Sequence, residues 1–442
     1  MEFMSGQDDK ISWLSSQLQR WVNEGIINTT TAESISKLYP QPQAKILRPW
    51  ALIVFSGIGA VIVGLGVILL FAYNWHEMSK FAKLSVVFGS LILAHFIGIT
   101  LFIRSDRFKG IGEALCVLGT MLFGAGIWLI AQIYHIEEHF PNAFLLWGVG
   151  ALLMAWTMPS VIQAIIAAVL FTIWAGTEAI EFNTAMPSVF ALLLLLFPIA
   201  YNKCSKVLLT ILLLAFAISS IFVLAAYDSA LPVFYVLLCI FAIYTAASMV
   251  QQKFSKFELF APVYFFLGMA GYFITLYLLA FPDILKETIT DKPRYDVNIF
   301  YWLVPLVLMV TGWLLVGWQA AKKDKLKHFS YELFLMPMMP IFLYYCSLNI
   351  SKYLEWPAIV VFNLVFLAHA AMMMAKGCMN AAMGQTIIGS LLLMALMIAR
   401  FTDLFGNLAI RGLIFVIVGI LIFGQGFFYV RSKKKKALQK TK

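Results

Sequence analysis

The chain has 442 residues, of which 62% are hydrophobic and only 12% charged, whereas soluble domains have about 45–50% apolar and about 25% charged residues. A water-soluble core of this size cannot hold so much apolar surface, so lipid must face much of it. The net charge of +10 does not indicate nucleic acid, because no folded basic domain is evident, and we predict no nucleic-acid partner. The apolar runs are continuous and about 20 residues long, which predicts an all-α, polytopic integral membrane helix bundle and excludes a β-barrel.

Residues 1–47 are the one sizeable soluble segment, which we predict to be a small cytoplasmic helical hairpin. Apolar residues recur at helical spacing until Gly25 ends the first helix, and Thr30 or Thr31 caps a second helix that ends before Pro40. The apolar faces of these helices are too few for an independent core. We therefore expect the hairpin to pack on the membrane domain or on a protein partner.

About fourteen apolar segments of spanning length follow the hairpin. We divide them into an N-terminal membrane unit, 48–176, with helices one to five, and a C-terminal membrane unit, 177–430, with helices six to fourteen. Residues 431–442 form a basic cytoplasmic tail. The predicted segments are 50–73, 82–103, 111–133, 142–158, 160–176, 187–202, 206–226, 230–250, 259–281, 298–320, 332–350, 356–375, 381–400 and 411–430.

Lysine and arginine cluster in every second link between these segments, and acidic residues occupy the alternate links, including the link that holds Glu178. By the positive-inside rule, the basic links and both termini are cytoplasmic and the acidic links are on the outer side. The lysines of the tail, 431–442, are expected to attract anionic lipid headgroups. The longest outer link, 282–297, is predicted to be a loop.

Two polar clusters lie at the predicted outer ends of helices one and three. If these helices are neighbours, the clusters form one partly acidic binding mouth, which we call the outer polar mouth. Ordinary capping of helix ends at the membrane interface is the alternative interpretation. The clusters consist of Asn74, Trp75, His76 and Glu77, and of Gln132, Tyr134, His135, Glu138 and His139.

The segment from His135 to His139 fits the pattern H-x-x-E-H, in which two histidines four residues apart on a helix share a face and can bind one metal ion. A five-residue match arises easily by chance, and Pro141 can end the helix nearby, so the alternative is a hydrated polar helix end. We predict no cofactor. The candidate metal ligands are His135, Glu138 and His139. The two histidines would need a third ligand, which Glu77, His76 or Glu178 on neighbouring links could also supply.

A third polar cluster surrounds the last predicted outer turn. Arg400 and Asp403 are three residues apart and can pair on one helix face, and Arg411 can close a triad across the hairpin. The cluster is interpreted as an ion-pair staple, with binding of an anionic headgroup or substrate as the alternative.

Few polar residues fall within the predicted spans. No carboxylate is clearly placed in the middle of the membrane, which argues against a proton pump. A lone intramembrane histidine, such as His95 or His369, is expected to bond a backbone carbonyl rather than relay protons. Glycines of the third segment, Gly119 and Gly124 among them, permit close approach of neighbouring helices, so helices one to three are predicted to form a tight unit.

Several short motifs resemble known families. Over about 10–160 the chain resembles the bacterial membrane-protein family called domain of unknown function 2157, and its C-terminal part is similar to the related domain of unknown function 4401. The resemblance implies a bacterial inner-membrane protein and supplies no activity. The first resemblance rests on Trp21, Gly25-Ile26-Ile27, Gly64 to Leu70, Asn74-Trp75, Ala131 to His135 and Leu146-Trp147, and the second on Arg400 to Gly406, Arg411-Gly412 and Phe415.

Three functional hypotheses remain open. The first is a carrier or flippase-like transporter of a small or lipid-linked solute, which a polar pathway across the membrane would favour and a solid apolar core would oppose. The second is a non-enzymatic membrane scaffold or sensor that signals through 1–47. The third is an outer-face membrane enzyme that uses His135, Glu138 and His139. Because the sequence carries no strong catalytic signature, a protein without enzymatic activity is expected.

Overall fold

The computed structural model describes most of the chain between residues 78 and 403, together with part of the N-terminal hairpin. Within these residues the regular secondary structure is helical and no strand occurs, which confirms the predicted all-α fold. The described residues are 14, 17–38, 78–104, 108–135, 139–252, 257–290, 296–321, 331–348, 352–380, 382–403 and the isolated positions 416, 420, 424 and 431.

The chain divides into two compact units, Met1–Lys83 and Leu84–Lys442. In the first unit, residues 17–23 are helical (α1) and a turn at Gly25, with φ of +73°, leads to α2, Thr29–Leu38. The predicted caps, Thr30 and Thr31, are wrong: the side-chain oxygen of Asn28 accepts the backbone N–H of Thr31 at 2.9 Å. Asn28 precedes the first helical residue, so its carbonyl can reach an amide that has no partner within the helix.

The second unit is a succession of apolar helices joined by short links. Its core is continuous, with α6 packed against α5 and α9, and α10 packed against α11, α13 and α14. The helices are α3 (Lys80–Arg104, which begins in the first unit), α4 (Lys109–Tyr134), α5 (Pro141–Thr157), α6 (Val161–Phe182), α7 (Ser188–Leu194), α8 (Phe197–Asn202), α9 (Lys206–Ala225), α10 (Ala230–Gln251), α11 (Ala261–Leu279), α12 (Pro282–Thr290), α13 (Phe300–Ala321), α14 (Leu335–Leu348, after a 3₁₀ turn at Tyr331–Phe334), α15 (Lys352–Met379) and α16 (Met383–Asp403).

Within the described part of the chain, the apolar helices lie at the positions of the predicted spans. Among the described residues, eight helices are long and apolar enough to cross a membrane, and four further apolar segments are shorter. These twelve correspond to twelve of the fourteen predicted segments. The first predicted segment, 50–73, lies outside the described residues, as does most of the last, 411–430. The polytopic membrane bundle is therefore confirmed, while the division at residues 176 and 177 stays a prediction.

One predicted span, 187–202, is interrupted. Pro198 has no N–H to donate to the carbonyl of Leu194, and its ring clashes with that carbonyl in a continuous helix. The segment therefore forms two short helices, α7 and α8, with a turn at Leu195 and Leu196. The indole of Trp156 donates to the carbonyl oxygen of Leu195 at 3.2 Å, so a side chain satisfies a backbone group that the break exposes.

The prediction that 282–297 is a loop is wrong in its first part, because α12 occupies Pro282–Thr290. Leu285, Thr288 and Ile289 lie buried on one side of this short helix, and Leu285 and Ile289 belong to the hydrophobic core. The apolar pattern, from Leu285 to Ile289, covers only about one and a half helical turns. Periodicity cannot distinguish so short a pattern from a loop.

Glycines let α4 approach its neighbours closely, as the sequence predicts. The ring of His95 on α3 lies against Gly119, and the indole of Trp147 on α5 lies against Gly124. The Trp147 N–H donates to the carbonyl oxygen of Thr120 at 2.8 Å, which fixes the indole over the glycine. A side chain at position 124 would overlap that ring.

We expect Gly124→Ala to lower the free energy of unfolding by about 1–3 kcal/mol, because the new methyl group displaces the Trp147 indole. Gly110→Ala is the matched control on the same helix, since a methyl group there meets no atom within 4 Å. Thermal denaturation of both purified variants in detergent measures the difference. Equal stability of the two variants would contradict the packing described.

Candidate functional site

A buried carboxylate marks one end of α6. Glu178 was predicted to lie in a link outside the membrane, yet α6 continues to Phe182 and places Glu178 in its last turns with only 1% of its surface exposed. Asn183 ends the helix in the left-handed conformation, and its N–H donates to the Glu178 carbonyl oxygen. The apolar pattern of the sequence did not predict this burial, because hydropathy does not show which face of a helix points towards its neighbours.

Two polar side chains hold the Glu178 carboxylate. Nε2 of His139 lies 2.8 Å from one carboxylate oxygen and 2.9 Å from the other. The Trp174 indole N–H, one turn earlier on α6, donates to the first oxygen at 3.2 Å. The Phe182 ring lies 4.0 Å from the His139 ring, between centroids. We call Glu178, His139, Trp174 and Phe182 the carboxylate site.

The residues of the carboxylate site come from two parts of the chain, a helix and a link between helices. Glu178, Trp174 and Phe182 belong to α6, whereas His139 lies in the link between α4 and α5 and leaves 36% of its side chain exposed. Removing a carboxylate from water costs several kcal/mol unless partners replace its hydration. The imidazole N–H and the indole N–H supply those contacts, and the pair becomes an ion pair when the imidazole is protonated.

The structure does not place His135 and His139 on one helix, as the metal-site prediction requires. Helix α4 ends at Tyr134, and His135 adopts a left-handed conformation with φ of +52°, so His135 and His139 do not share a face of one helix. Glu138 lies outside the described residues. Of the histidine, cysteine and acidic side chains that the structure describes, no three are grouped so as to hold a metal ion. The helical premise of the H-x-x-E-H interpretation is therefore wrong.

Other predicted site residues are placed only in part. Gln132, Tyr134 and His135 are exposed at the end of α4 that leads to His139. The backbone of α16 includes Arg400 and Asp403, but their side chains are not described, so the ion-pair prediction stays untested. The residues of the predicted clusters that lie outside the described part are Asn74, Trp75, His76, Glu77 and Arg411.

The opposite end of α6 carries a second polar group. The Ser160 hydroxyl caps α6 by accepting the N–H of Gln163 at 3.3 Å, and it donates to Glu113 of α4 at 2.5 Å. The spacing of Ser160 and Gln163 fits a capping box, in which the glutamine side chain would bond the serine N–H. Here that N–H bonds Ala155 instead, at 3.3 Å. Both polar atoms of the Gln163 side chain are buried without a hydrogen-bond partner.

The two intramembrane histidines behave as the sequence predicts. Nδ1 of His95 lies 3.1 Å from the Leu91 carbonyl oxygen, and Nδ1 of His369 lies 2.9 Å from the Val365 carbonyl oxygen. Each histidine therefore bonds the carbonyl four residues earlier in its own helix. Neither contact connects distant parts of the fold, in contrast to the contact between His139 and Glu178.

Residues 19–164 match a family described as "Predicted membrane protein (DUF2157)". The match confirms the predicted resemblance of the N-terminal part to domain of unknown function 2157, and it includes His139 but not Glu178. The similarity of the C-terminal part to domain of unknown function 4401 stays a prediction. No curated protein and no solved structure matches the chain significantly.

We expect His139→Asn to lower the free energy of unfolding by about 1–3 kcal/mol, because it leaves the buried Glu178 carboxylate short of a donor. His135→Asn is the matched control: His135 is exposed, and asparagine tolerates its left-handed backbone. Combining His139→Asn with Glu178→Gln in a double-mutant cycle should show a coupling of about 0.5–3 kcal/mol. Additive effects of the two substitutions would mean that the contact does not contribute to stability.

Proposed function

We propose that this membrane protein is a carrier or flippase-like transporter of a small or lipid-linked solute, and that α6 lines its path. The observation that carries the proposal is the pair of buried polar side chains, Gln163 and Glu178, near the two ends of one apolar helix. Polar and ionisable groups within a membrane are costly, and they commonly mark substrate or ion pathways.

Both side chains lie on one side of α6. They are fifteen residues apart in a continuous helix, which corresponds to roughly 22 Å along its axis, most of a hydrocarbon core of about 30 Å. At about 100° per residue, fifteen residues bring the helix to within roughly 60° of its starting direction. Trp174 and the apolar residues Ala167 and Leu170 lie on the same buried side between the polar ends.

The path is closed in this conformation. Ala167 and Leu170 are buried in the apolar core, so the two polar ends are separated by packed side chains. The packed apolar centre counts against a permanently open polar pathway, but a carrier exposes its site to one side at a time and has such a closed centre during its cycle. The proposal therefore requires α5 or α9, which pack on α6, to move relative to it during transport.

Native mass spectrometry of the gently purified protein tests the proposal. We expect a solute or lipid bound in stoichiometric amount, retained by Glu181→Gln and lost from Glu178→Gln. Glu181 is the matched control, because it lies on the same helix but is exposed. Bulk phospholipid alone, equal in the wild type and both variants, would contradict a carrier function for α6.

We further propose that the protein resides in the bacterial inner membrane with both termini in the cytoplasm, where the tail, 431–442, binds anionic headgroups. Cys204 provides a native reporter, because it is exposed between α8 and α9 while the other four cysteines are buried. A membrane-impermeant maleimide should label inverted vesicles and leave right-side-out vesicles unlabelled. Cys204→Ser should abolish the signal, and labelling only of right-side-out vesicles would reverse the orientation.

A groove in the hairpin favours the sensor or scaffold hypothesis as a second candidate. It has a volume of about 350 Å³ and is lined from both helices by residues that include Leu18, Val22, Ala32 and Glu33. Ala32→Leu should fill the groove, so that a protein cross-linked to the wild type in membranes is no longer cross-linked. Thr29→Leu changes an exposed residue of the same helix and should leave that cross-link unchanged. An unchanged set of cross-linked proteins in Ala32→Leu would oppose this candidate.

A further inference from the structure

We infer that the carboxylate site binds the ammonium group of an organic cation, with Glu178 as the charged partner. The inference rests on the proposed carrier function and names the chemical class of its solute. Three observations carry it: the charges in the stretch of sequence that supplies the site, the side chains that contact Glu178 and His139, and the position of His139.

The stretch of sequence that supplies the carboxylate site contains no lysine or arginine. Between Lys109 and Lys203 the sequence has five glutamates and two histidines, and no lysine or arginine. This stretch supplies α5 to α8 and all but the first residue of α4. Carboxylates buried in proteins are usually paired with a cation. Among the described residues, the hydrogen bonds of the Glu178 carboxylate come from the His139 imidazole and the Trp174 indole.

The side chains around Glu178 match the recognition of an ammonium group. A carboxylate attracts the charge and accepts its N–H groups, and aromatic faces nearby attract a cation through their quadrupoles. The ring beside the His139 position is that of Phe182, with 4.0 Å between the two ring centroids, and the Phe140 ring lies 5.8 Å from that of Phe182. Trp174 contributes its indole N–H, which holds the carboxylate in place. An anionic solute would be repelled by Glu178, and a neutral solute would leave its buried charge without a counter-charge.

His139 occupies the position that the ammonium group would take. Its Nε2 contacts both carboxylate oxygens, and an ammonium group with three N–H donors can make the same contacts. His139 lies outside the helices and its side chain is partly exposed, whereas Glu178 and Trp174 are held within α6. The imidazole therefore serves as the partner of the carboxylate in the absence of solute, and the cation replaces it.

Equilibrium binding of dansylcadaverine, a fluorescent primary amine, to the purified full-length protein tests the inference. Its N-acetylated form, which has the same ring and chain but no charge, is the matched probe. We expect the amine to bind and the acetylated probe not to bind. Glu178→Gln should weaken binding of the amine by about tenfold or more, the usual loss for a charged hydrogen bond, and Glu181→Gln should leave it unchanged.

A measurement on the wild type covers the case in which Glu178→Gln fails to fold. Dicyclohexylcarbodiimide modifies carboxyl groups in apolar surroundings, and peptide mass spectrometry can locate its adduct on Glu178. Because a primary amine would itself couple to the activated carboxyl group, the N,N-dimethyl form of dansylcadaverine, whose tertiary ammonium keeps the charge but forms no amide, is used here. This amine should protect Glu178 from modification, and the acetylated probe should not. Equal binding of the two probes, or no protection by the amine, would overturn the inference.

Different experimental results would contradict the cation inference and the proposed carrier function. If native mass spectrometry finds an uncharged or anionic solute that Glu178→Gln loses, the carrier proposal stands and the cation class is wrong. If no solute distinguishes Glu178→Gln from Glu181→Gln and neither probe binds, both are wrong.

Discussion

A carboxylate taken out of water must find its hydrogen-bond donors within the protein, and the region around α6 is organised by this requirement. Glu178 reaches across to the link between α4 and α5 for His139, and back one turn along its own helix for Trp174. At the other end of α6, Glu113 of α4 bonds the capping hydroxyl of Ser160. Two carboxylate contacts therefore tie α6 to the preceding part of the chain, one at each end.

The same requirement applies to the backbone in a bilayer, where no water replaces a lost hydrogen bond. The break before Pro198 leaves Leu195 with a carbonyl that the Trp156 indole satisfies. The indole of Trp147 bonds the Thr120 carbonyl, and it fits there because Gly124 has no side chain. Tryptophan thus serves in the second unit as a long donor that joins one helix to the backbone of another. The buried side-chain amide of Gln163 is the contrasting case, since neither of its polar atoms has a hydrogen-bond partner. For this reason we include Gln163 in the proposed transport path.

The sequence predicted the spans well and the chemistry of the site poorly, for one reason. A run of apolar residues predicts a spanning helix without any knowledge of its neighbours, so segments such as 206–226 and 230–250 differ from α9 and α10 by a single residue at one end. The pattern H-x-x-E-H also used only local spacing, but it assumed that the helix continues, and α4 ends at Tyr134. Of the proposed metal ligands, the structure brings His139 together with Glu178, which had been named only as one of several further ligands.

By itself, the sequence determined that the protein is a bundle of membrane-spanning helices, where most of them begin and end, and that its glycines allow close packing. These properties depend on the balance of apolar and polar residues along the chain, which hydropathy records. The tertiary structure alone decided that Glu178 is buried, that His139 is its partner across 39 positions of sequence, and that Gln163 lies on the same side of α6. Burial and pairing depend on which helix faces are brought together, and an apolar helix is nearly uniform around its circumference, so its sequence does not reveal which face is buried.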